Sequence, residues 1–385
     1  METDPREPAA DRRFVVCIPT YLEAASIERA TRLVDRAIAG SRYRDACLLV
    51  NVDNNSPDGT AALFAATPTR TPRRVITCDA AEAGKGRNLF ALFQFCVREG
   101  ATAAMTVDAD LEEVGEEWVD RFLGEAGGAD MVLPVYPRRW YEGSLTNQVV
   151  VPLIYAATGN AIRQPIAGEF AFSARFMKHM TGVPWPADAW AYGVDVFLTM
   201  TALATAEVSQ IGLRTGKVQP WRSRSVPGVE REFPPKFRQV VNTLLACLGD
   251  APRVGRGHVP IPPATAEAVF ETQDCDLDFM RKVSRSAAAR MRGKPEWTEL
   301  GIGFLGELDD PSWARVLNQV LEWARAGRLT EDRLSAFCAA LFVRIAHVQP
   351  RLKGLSQAEI DEHVWSLGRA VADHARTVSH GHHTA

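Results

Sequence analysis

The chain of 385 residues is predicted to be an α/β protein with a mostly parallel sheet and a helical C-terminal extension. Three observations predict it. Short β-rich runs, RFVVCIP (13–19), ACLLVNVD (46–53), RRVITC (73–78), ATAAMTVD (101–108) and ADMVLPV (129–135), alternate with SIERATRLVDRAIAG, DGTAALFAA, GRNLFALFQFCVREG and GEEWVDRFLGEAGG, whose apolar residues recur at helical spacing. Such a βαβα order implies helices on both faces of the sheet and a ligand site at the carboxyl ends of its strands. Beyond roughly residue 230 the pattern becomes helical, with a proline-rich break at VPIPP (259–263), helix starts at DDPSWARVL and LTEDRLSAF, and a capping box at Ser356 and Glu359. Finally, a composition 46% hydrophobic and 24% charged can bury a large core.

Taken in order, the first 12 residues read as a flexible charged tail, 13–245 as one domain and 246–385 as the helical region. The stretch from 142 to 220 continues the first domain through a helix (GSLTNQVVVPLIYAA), RQPIAGEFAFS, a second helix (VDVFLTMTALAT) and a strand-like VSQIGLRTGKVQ. Trp118, Phe122, Phe172 and Phe197 stand at apolar positions and are expected in the core. The histidines of HGHH near the end are expected to be solvated.

Net charge of -3 argues against a protein that coats nucleic acid or anionic membrane, since either needs a basic surplus. Seven scattered cysteines without CxxC spacing indicate neither a disulfide framework nor a zinc site, and fit a reduced cytoplasm. No uninterrupted apolar stretch approaches the ~18 residues of a membrane span, so a soluble protein is expected.

Four segments fall at predicted strand ends. IPTYLEAASIERA places Tyr21 and Glu23 there, and NVDNNSPDGT places Asp53, Asn54, Asn55 and Ser56. The second cluster suits a base and ribose, or equally an Asx turn with a helix cap. AEAGKGRN flanks Lys85 with glycines that would let the backbone approach a nucleotide closely, although GxxxxGK[ST] is absent. MTVDADLEE carries Asp108 and Asp110 at alternate positions. Strand geometry held as far as Asp110 would project both carboxylates to one side, ready for Mg2+ or Mn2+ with phosphate oxygens and water. An acidic solvated loop end that includes Glu112 and Glu113 is the other reading.

In this order PTYLE, VDNNSPDGT, AGKGRN and VDAD resemble the nucleotide-sugar half of family 2-like glycosyltransferases of the GT-A fold. PVYPRRWYEGSLTN, RQPIAGEFAFS and WAYGVDVFLTM resemble the second half of the retaining enzymes of that kind, among them the mannosylglycerate, glucosylglycerate and glucosyl-3-phosphoglycerate synthases. The resemblance spans residues 13 to 245 and implies a donor site of Pro19, Tyr21, Glu23, Asp53, Lys85, Asp108, Ala109, Gly168 and Glu169. Arg138 and Thr146 would hold the acceptor, the guanidinium forking onto a carboxylate. Asp195 would lie close to the reacting groups. It also suits a helix N-cap, as Arg138 and Arg139 also suit plain surface charge.

The implied activity is transfer of glucose or mannose, with retained α configuration, from UDP-glucose or GDP-mannose to a small anionic hydroxy acid such as glycerate. Asp110, and Asp108 with it, would hold Mg2+ or Mn2+, and Asp195 would act by position and charge. Two departures stand out. Where these relatives place a metal-binding histidine, the chain has Gln219. The shell would then be completed by Gln219, by His258, or by phosphate and water. WRSRSVPGVEREFPPKF (221–237) reads as a mobile loop, with Arg222, Arg224, Arg231 and Lys236 either clamping an anion or simply exposed. The helical extension would serve as a homodimer interface or as a lid. The competing readings are a protein of the same fold that binds nucleotide sugar without turning it over, and a hexosyltransferase for a specialised-metabolite acceptor. A sugar-phosphate nucleotidyltransferase is disfavoured because PTYLE stands where such enzymes carry a glycine-rich turn.

Overall fold

The structure, a computed structural model, describes residues 14–78, 83–217, 225–249, 259, 275–302 and 308–381. Among the described residues seven strands form one sheet: β1 (Phe14–Thr20), β2 (Cys47–Asp53), β3 (Arg73–Thr77), β4 (Ala103–Thr106), β5 (Met131–Val135), β6 (Ala171–Ser173) and β7 (Val208–Gly212), in the order β3-β2-β1-β4-β6-β5-β7. The helices are α1 (Ile27–Gly40), α2 (Thr60–Ala66), α3 (Lys85–Glu99), α4 (Trp118–Glu125), α5 (Val151–Thr158), α6 (Ala174–Met180) and α7 (Val194–Thr205), then α8 (Val226–Gly249), α9 (Leu277–Met291), α10 (Pro295–Glu299), α11 (Asp310–Arg325), α12 (Glu331–Leu352) and α13 (Gln357–Gly381). The expected α/β class with C-terminal helices is therefore the observed one. No helix among the described residues is long and apolar enough to cross a membrane.

The chain divides into two compact units that interleave in sequence. The first takes Met1–Pro134, Ala167–Ala191 and Thr205–Pro220, and the second takes Val135–Ile166, Tyr192–Ala204 and Trp221–Ala385. In the first unit, β2-β1-β4 and β3 run parallel, and the registers Thr20↔Asp53 and Asp53↔Thr77 bring their carboxyl ends to one edge. The chain leaves β1 to one side for β2 and later returns to its other side for β4, so this edge carries a topological switch point, where open α/β sheets bind ligands. Val16, Cys17, Ile18, Leu49, Val50 and Val52 fill the sheet interior, and Trp118, Phe122 and Phe172 are buried as expected.

β6 runs antiparallel to β4, with Met105 opposite Ala171. Beyond the strand the same spacing continues: the Thr106 N–H donates to Phe170 O at 2.9 Å, and Asp108 comes to face Gly168. This return, which strand-helix alternation does not announce, builds the site described below.

The second unit is helical. Phe237, Val240, Val241 and Leu244 of α8 join Val283 and Ala287 of α9, Trp313, Leu317 and Val320 of α11 and Phe337, Leu341 and Ile345 of α12 in one apolar cluster. Phe197 is buried, as expected. Asp309 and Thr330 cap α11 and α12 through their side chains, and Ser356 and Glu359 form the predicted capping box, with the Ser356 N–H donating to Glu359 Oε2 at 2.8 Å. One expectation fails here. Residues 226–237, read as loop, are helical in α8 despite Pro234 and Pro235. Val226, Val229, Phe233 and Phe237 recur at helical spacing and pack on the apolar cluster, and that burial outweighs the two backbone donors the prolines lack. Arg231 and Lys236 therefore stand on a helix, Lys236 over the Tyr192 ring at 4.6 Å. Arg222, Arg224, VPIPP apart from Val259, and the first 12 residues lie outside the described residues.

Candidate active site

β1 ends at Thr20 and β2 at Asp53, and the two are tied at the switch-point edge by Thr20 Oγ1 donating to Asp53 Oδ1 at 2.7 Å. Asp53 is buried, and its other oxygen accepts the Ser56 N–H at 2.7 Å while the Ser56 hydroxyl donates to Oδ1. This is the Asx turn that Asn, Ser and Asp-Gly favour. Asp58 caps the turn into α2 by accepting from Thr60 N and Oγ1. On the adjoining turn Tyr21 is 45% exposed and Leu22 has φ 58°. Glu23 accepts from the Ser26 hydroxyl at 2.7 Å, and its own N–H donates to Thr60 Oγ1. Pro19 is buried within β1.

The glycines of AGKGRN permit a close approach, but to the chain's own backbone. A Cβ on Gly84 would lie 2.2 Å from the Trp190 carbonyl oxygen, and one on Gly86 1.9 Å from that of Ala189. The Gly86 N–H donates to Ala191 O at 3.2 Å. Asn54 Nδ2 secures the same turn by donating to Gly84 O at 3.1 Å. Lys85, the first residue of α3, is thereby held at the edge of the sheet.

β4 ends at Thr106, so the extended geometry that would project Asp108 and Asp110 to one side stops short of both residues. Ala109 and Asp110 lie in a turn. Asp108 instead accepts Lys85 Nζ on Oδ1 and Lys217 Nζ on Oδ2, each at 2.9 Å. Lys217 also donates to both oxygens of Glu169 at 3.0 Å and to Ala167 O at 2.6 Å. Exposure falls inward: the side chains of Lys85, Lys217 and Glu169 are 16%, 4% and 0% exposed. Gly168 is required beside them. Its φ is +92°, and a Cβ there would meet Asp108 Oδ2 at 2.3 Å. The Thr106 hydroxyl clamps the turn by donating to Gly168 O at 2.8 Å.

The two carboxylates respond differently. Burial pushes the Asp108 carboxyl up, but Lys217 and Lys85 together outweigh it and hold the group well below the usual carboxylate range. Burial raises Glu169, the nearby Asp108 charge adds to that, and Lys217 opposes them without reversing the sign. Sequence reading missed Lys217. The signal was a lysine two positions before Gln219, in the segment following a strand, and its partners became visible only through the β4-β6 register.

A divalent cation finds a limited set of donors. Among the described residues there is no group of three His, Cys, Asp or Glu side chains that could hold a metal ion. Each Asp108 oxygen accepts one lysine ammonium, so a cation on Asp108 would share the carboxylate with Lys85 and Lys217. Asp110 is the other carboxylate of the pair. Gln219 and His258 lie outside the described residues.

The expected acceptor residues belong to the second unit. The Arg138 guanidinium donates from Nε to Gln164 Oε1 at 3.1 Å and from Nη2 to the Tyr136 hydroxyl at 2.9 Å. It is half-buried, not a free surface charge. Thr146 is buried and opens a π-helical turn, Thr146–Val150, that leads into α5. Such turns recur at functional sites. Asp195 is the second residue of α7, inside its first turn, so it is not the N-cap.

The architecture is the GT-A fold, a Rossmann-like mixed sheet with added C-terminal helices. Residues 15–180 match the family described as Glycosyl transferase family 2. No curated protein matches the chain. Among solved structures it is similar to glucosyl-3-phosphoglycerate synthase from Mycobacterium tuberculosis in complex with phosphoglyceric acid, at 23% identity and TM-score 0.50, over 62% of this chain and 81% of that one. A complex of the same protein with Mn2+, uridine diphosphate and glucosyl-3-phosphoglycerate gives 23% identity and TM-score 0.49, over 65% and 87% of the two chains. At such identity the likeness speaks to the fold.

Proposed function

We propose that the chain is a hexosyltransferase that moves glucose or mannose from UDP-glucose or GDP-mannose to a hydroxyl of a small anionic hydroxy acid such as glycerate, with retention of α configuration. The observation that carries this reading is the cluster of Lys85, Asp108, Glu169 and Lys217 at the switch-point edge, the first three of them within the residues that match a glycosyltransferase family. Tyr21 and Glu23 hold the nucleoside, and Asp53, bonded to Thr20 and Ser56, sets the turn beside them, which Pro19 leads into from β1. Lys85 meets a diphosphate oxygen while Asp108 fixes its ammonium in place. Lys217 is too enclosed for that task and instead holds Asp108 to Glu169. Donor-sugar contact then falls to the backbone around Ala109 and Gly168, and Glu169, fully buried on Lys217, supports that turn from behind.

In the transfer, the bond from the anomeric carbon to phosphate oxygen breaks as the bond to the acceptor oxygen forms on the same face. The departing phosphate oxygen takes the acceptor proton. Arg138 and Thr146 orient the acceptor, and Asp195 acts by position and charge. Mg2+ or Mn2+ held by Asp110, with Gln219 or with phosphate oxygens and water, would supply Lewis-acid neutralisation of the diphosphate. The reading places the enzyme in the cytoplasm, where its cysteines, all free, stay reduced.

Incubation with UDP-glucose or GDP-mannose, Mn2+ and D-glycerate should release the nucleoside diphosphate and form an α-glycoside, scored by its anomeric proton signal. The Asp108 oxygens, both taken by lysines, favour one alternative, a protein that binds nucleotide sugar without turning it over. Donor binding with no release from either donor across hydroxy-acid and specialised-metabolite acceptors would select it.

A further inference from the structure

The segment after β5 that carries Arg138 is pinned by two of the C-terminal helices. The Arg138 N–H donates to Gln357 Oε1 on α13 at 3.0 Å. Three residues further on, Tyr141 O accepts from Gln349 Nε2 on α12 at 3.1 Å, and Gln349 is buried. Gln357 is held in turn, since its Nε2 donates to Asp361 Oδ1 at 2.8 Å. The same oxygen accepts Arg163 Nε at 2.7 Å, and Arg163 Nη1 donates to Asn147 Oδ1 at 2.8 Å. Asn147 directly follows Thr146. A chain of hydrogen bonds thus runs from the Arg138 backbone through Gln357, Asp361 and Arg163 to the residue beside Thr146, all within the second unit.

The side chain of Arg138 is set separately, by Gln164 and Tyr136. Gln357 therefore fixes where the residue stands, and its neighbours fix how the guanidinium points. The partners of the guanidinium are one amide and one phenol, and with no carboxylate on it among the described residues its charge is left for an anion. This economy would be wasted on a purely structural arginine, for which a carboxylate partner is the stronger choice.

We infer that Gln357 and Asp361 of α13, with Gln349 of α12, are positioning residues for the anionic acceptor, so that the C-terminal helices form part of the acceptor machinery. This inference rests on the reading of Arg138 as an acceptor residue. The test is Gln357→Met in the full chain, which keeps side-chain volume and removes the hydrogen bonds, with Gln349→Met as a second variant. Loss of one neutral hydrogen bond corresponds to about a fivefold to tenfold effect. Hydrogen exchange in the peptide covering 136–145 should accelerate by about that factor, and the KM for D-glycerate should rise by about the same factor. The donor KM and kcat should stay within about twofold of wild type, a split that general destabilisation would not produce.

Unchanged exchange in both variants, or faster exchange with an unchanged D-glycerate KM, overturns the inference. Arg138→Lys separates the two levels. If Arg138→Lys raises the D-glycerate KM and neither glutamine variant does, the inference alone fails. If Arg138→Lys has no effect, or wild type shows no D-glycerate-dependent turnover, the reading of Arg138 fails and takes the inference with it.

Discussion

The two units hold their enclosed cations differently. Around Asp108, two ammonium groups meet two carboxylates, and the cluster approaches electrical balance. In the second unit the arginines lean on amides: Arg138 on Gln164, Arg163 on Asn147, and Arg344 on Gln148, with Asp361 and Asp310 as the carboxylate partners of the latter two. A balanced cluster can cradle a diphosphate without repelling it, with Lys85 at its more exposed side. Of the three arginines Arg138 alone meets an amide and a phenol without a carboxylate, and it keeps its charge for an incoming anion. On the proposed reading, the first arrangement suits the donor and the second suits the acceptor.

The largest break should come from the balanced cluster. Lys217→Met leaves Asp108 and Glu169 facing each other without the ammonium they share. A loss of about 3–5 kcal/mol is expected, as for other buried pairs that lose one partner. Urea unfolding would measure it, and adding Glu169→Gln should restore part of the loss. An unchanged midpoint would mean that the cluster contributes nothing to the fold. Gly168→Ala attacks the same place through the backbone, combining a left-handed φ with a clash against Asp108. The expected cost is roughly 2–4 kcal/mol in thermal or chemical unfolding.

In the second unit, Gln148→Met removes the amide acceptor of Arg344 Nε, a bond of 2.9 Å, but leaves the Asp310 and Leu308 contacts. A smaller loss of about 1–3 kcal/mol is expected. If it equals that of Lys217→Met, the distinction between balanced and amide-held cations collapses.

The smallest effect is a pH slope. His363 is largely buried beside Arg344 and Asp310; burial lowers its pKa, Asp310 opposes, and Arg344 reinforces the lowering. Below about pH 6.5 the unfolded chain therefore takes up a proton that the folded chain refuses, and stability falls as pH falls through that window. His363→Gln should flatten this limb in unfolding experiments run between pH 5 and 7.5, values set around the ordinary imidazole range of about 6.5.

Much of this was legible in the sequence because it is written in local periodicity. The first five strands fall within two residues of their predicted bounds, and Asp309, Thr330 and Ser356 cap helices as their spacing implies. What local pattern could not supply were contacts set by long-range register. Asp108 meets Gly168 and Lys217 because β6 returns antiparallel to β4, and nothing near VDAD announces that. The glycines of GKG resemble a ligand-approach motif, yet they pack on Ala189 and Trp190, about a hundred residues away in the chain. Pro234 and Pro235 signalled a loop, and the apolar face of α8 overrode them. The side-chain amides that pin the Arg138 segment belong to Gln349 of α12 and Gln357 of α13, and nothing in their local sequence marks those contacts.

The most direct test of the account compares nucleoside diphosphate release from UDP-glucose and GDP-mannose by wild type and by Lys85→Met, with D-glycerate and Mn2+ present. Lys217 remains on Asp108 in that variant, so the fold should persist. The account predicts acceptor-dependent release by wild type from at least one donor, and a fall in kcat/KM of about 100-fold or more in Lys85→Met, on the scale of losing one charged contact to the leaving group. A full rate in Lys85→Met, or no release by wild type from either donor, would contradict it.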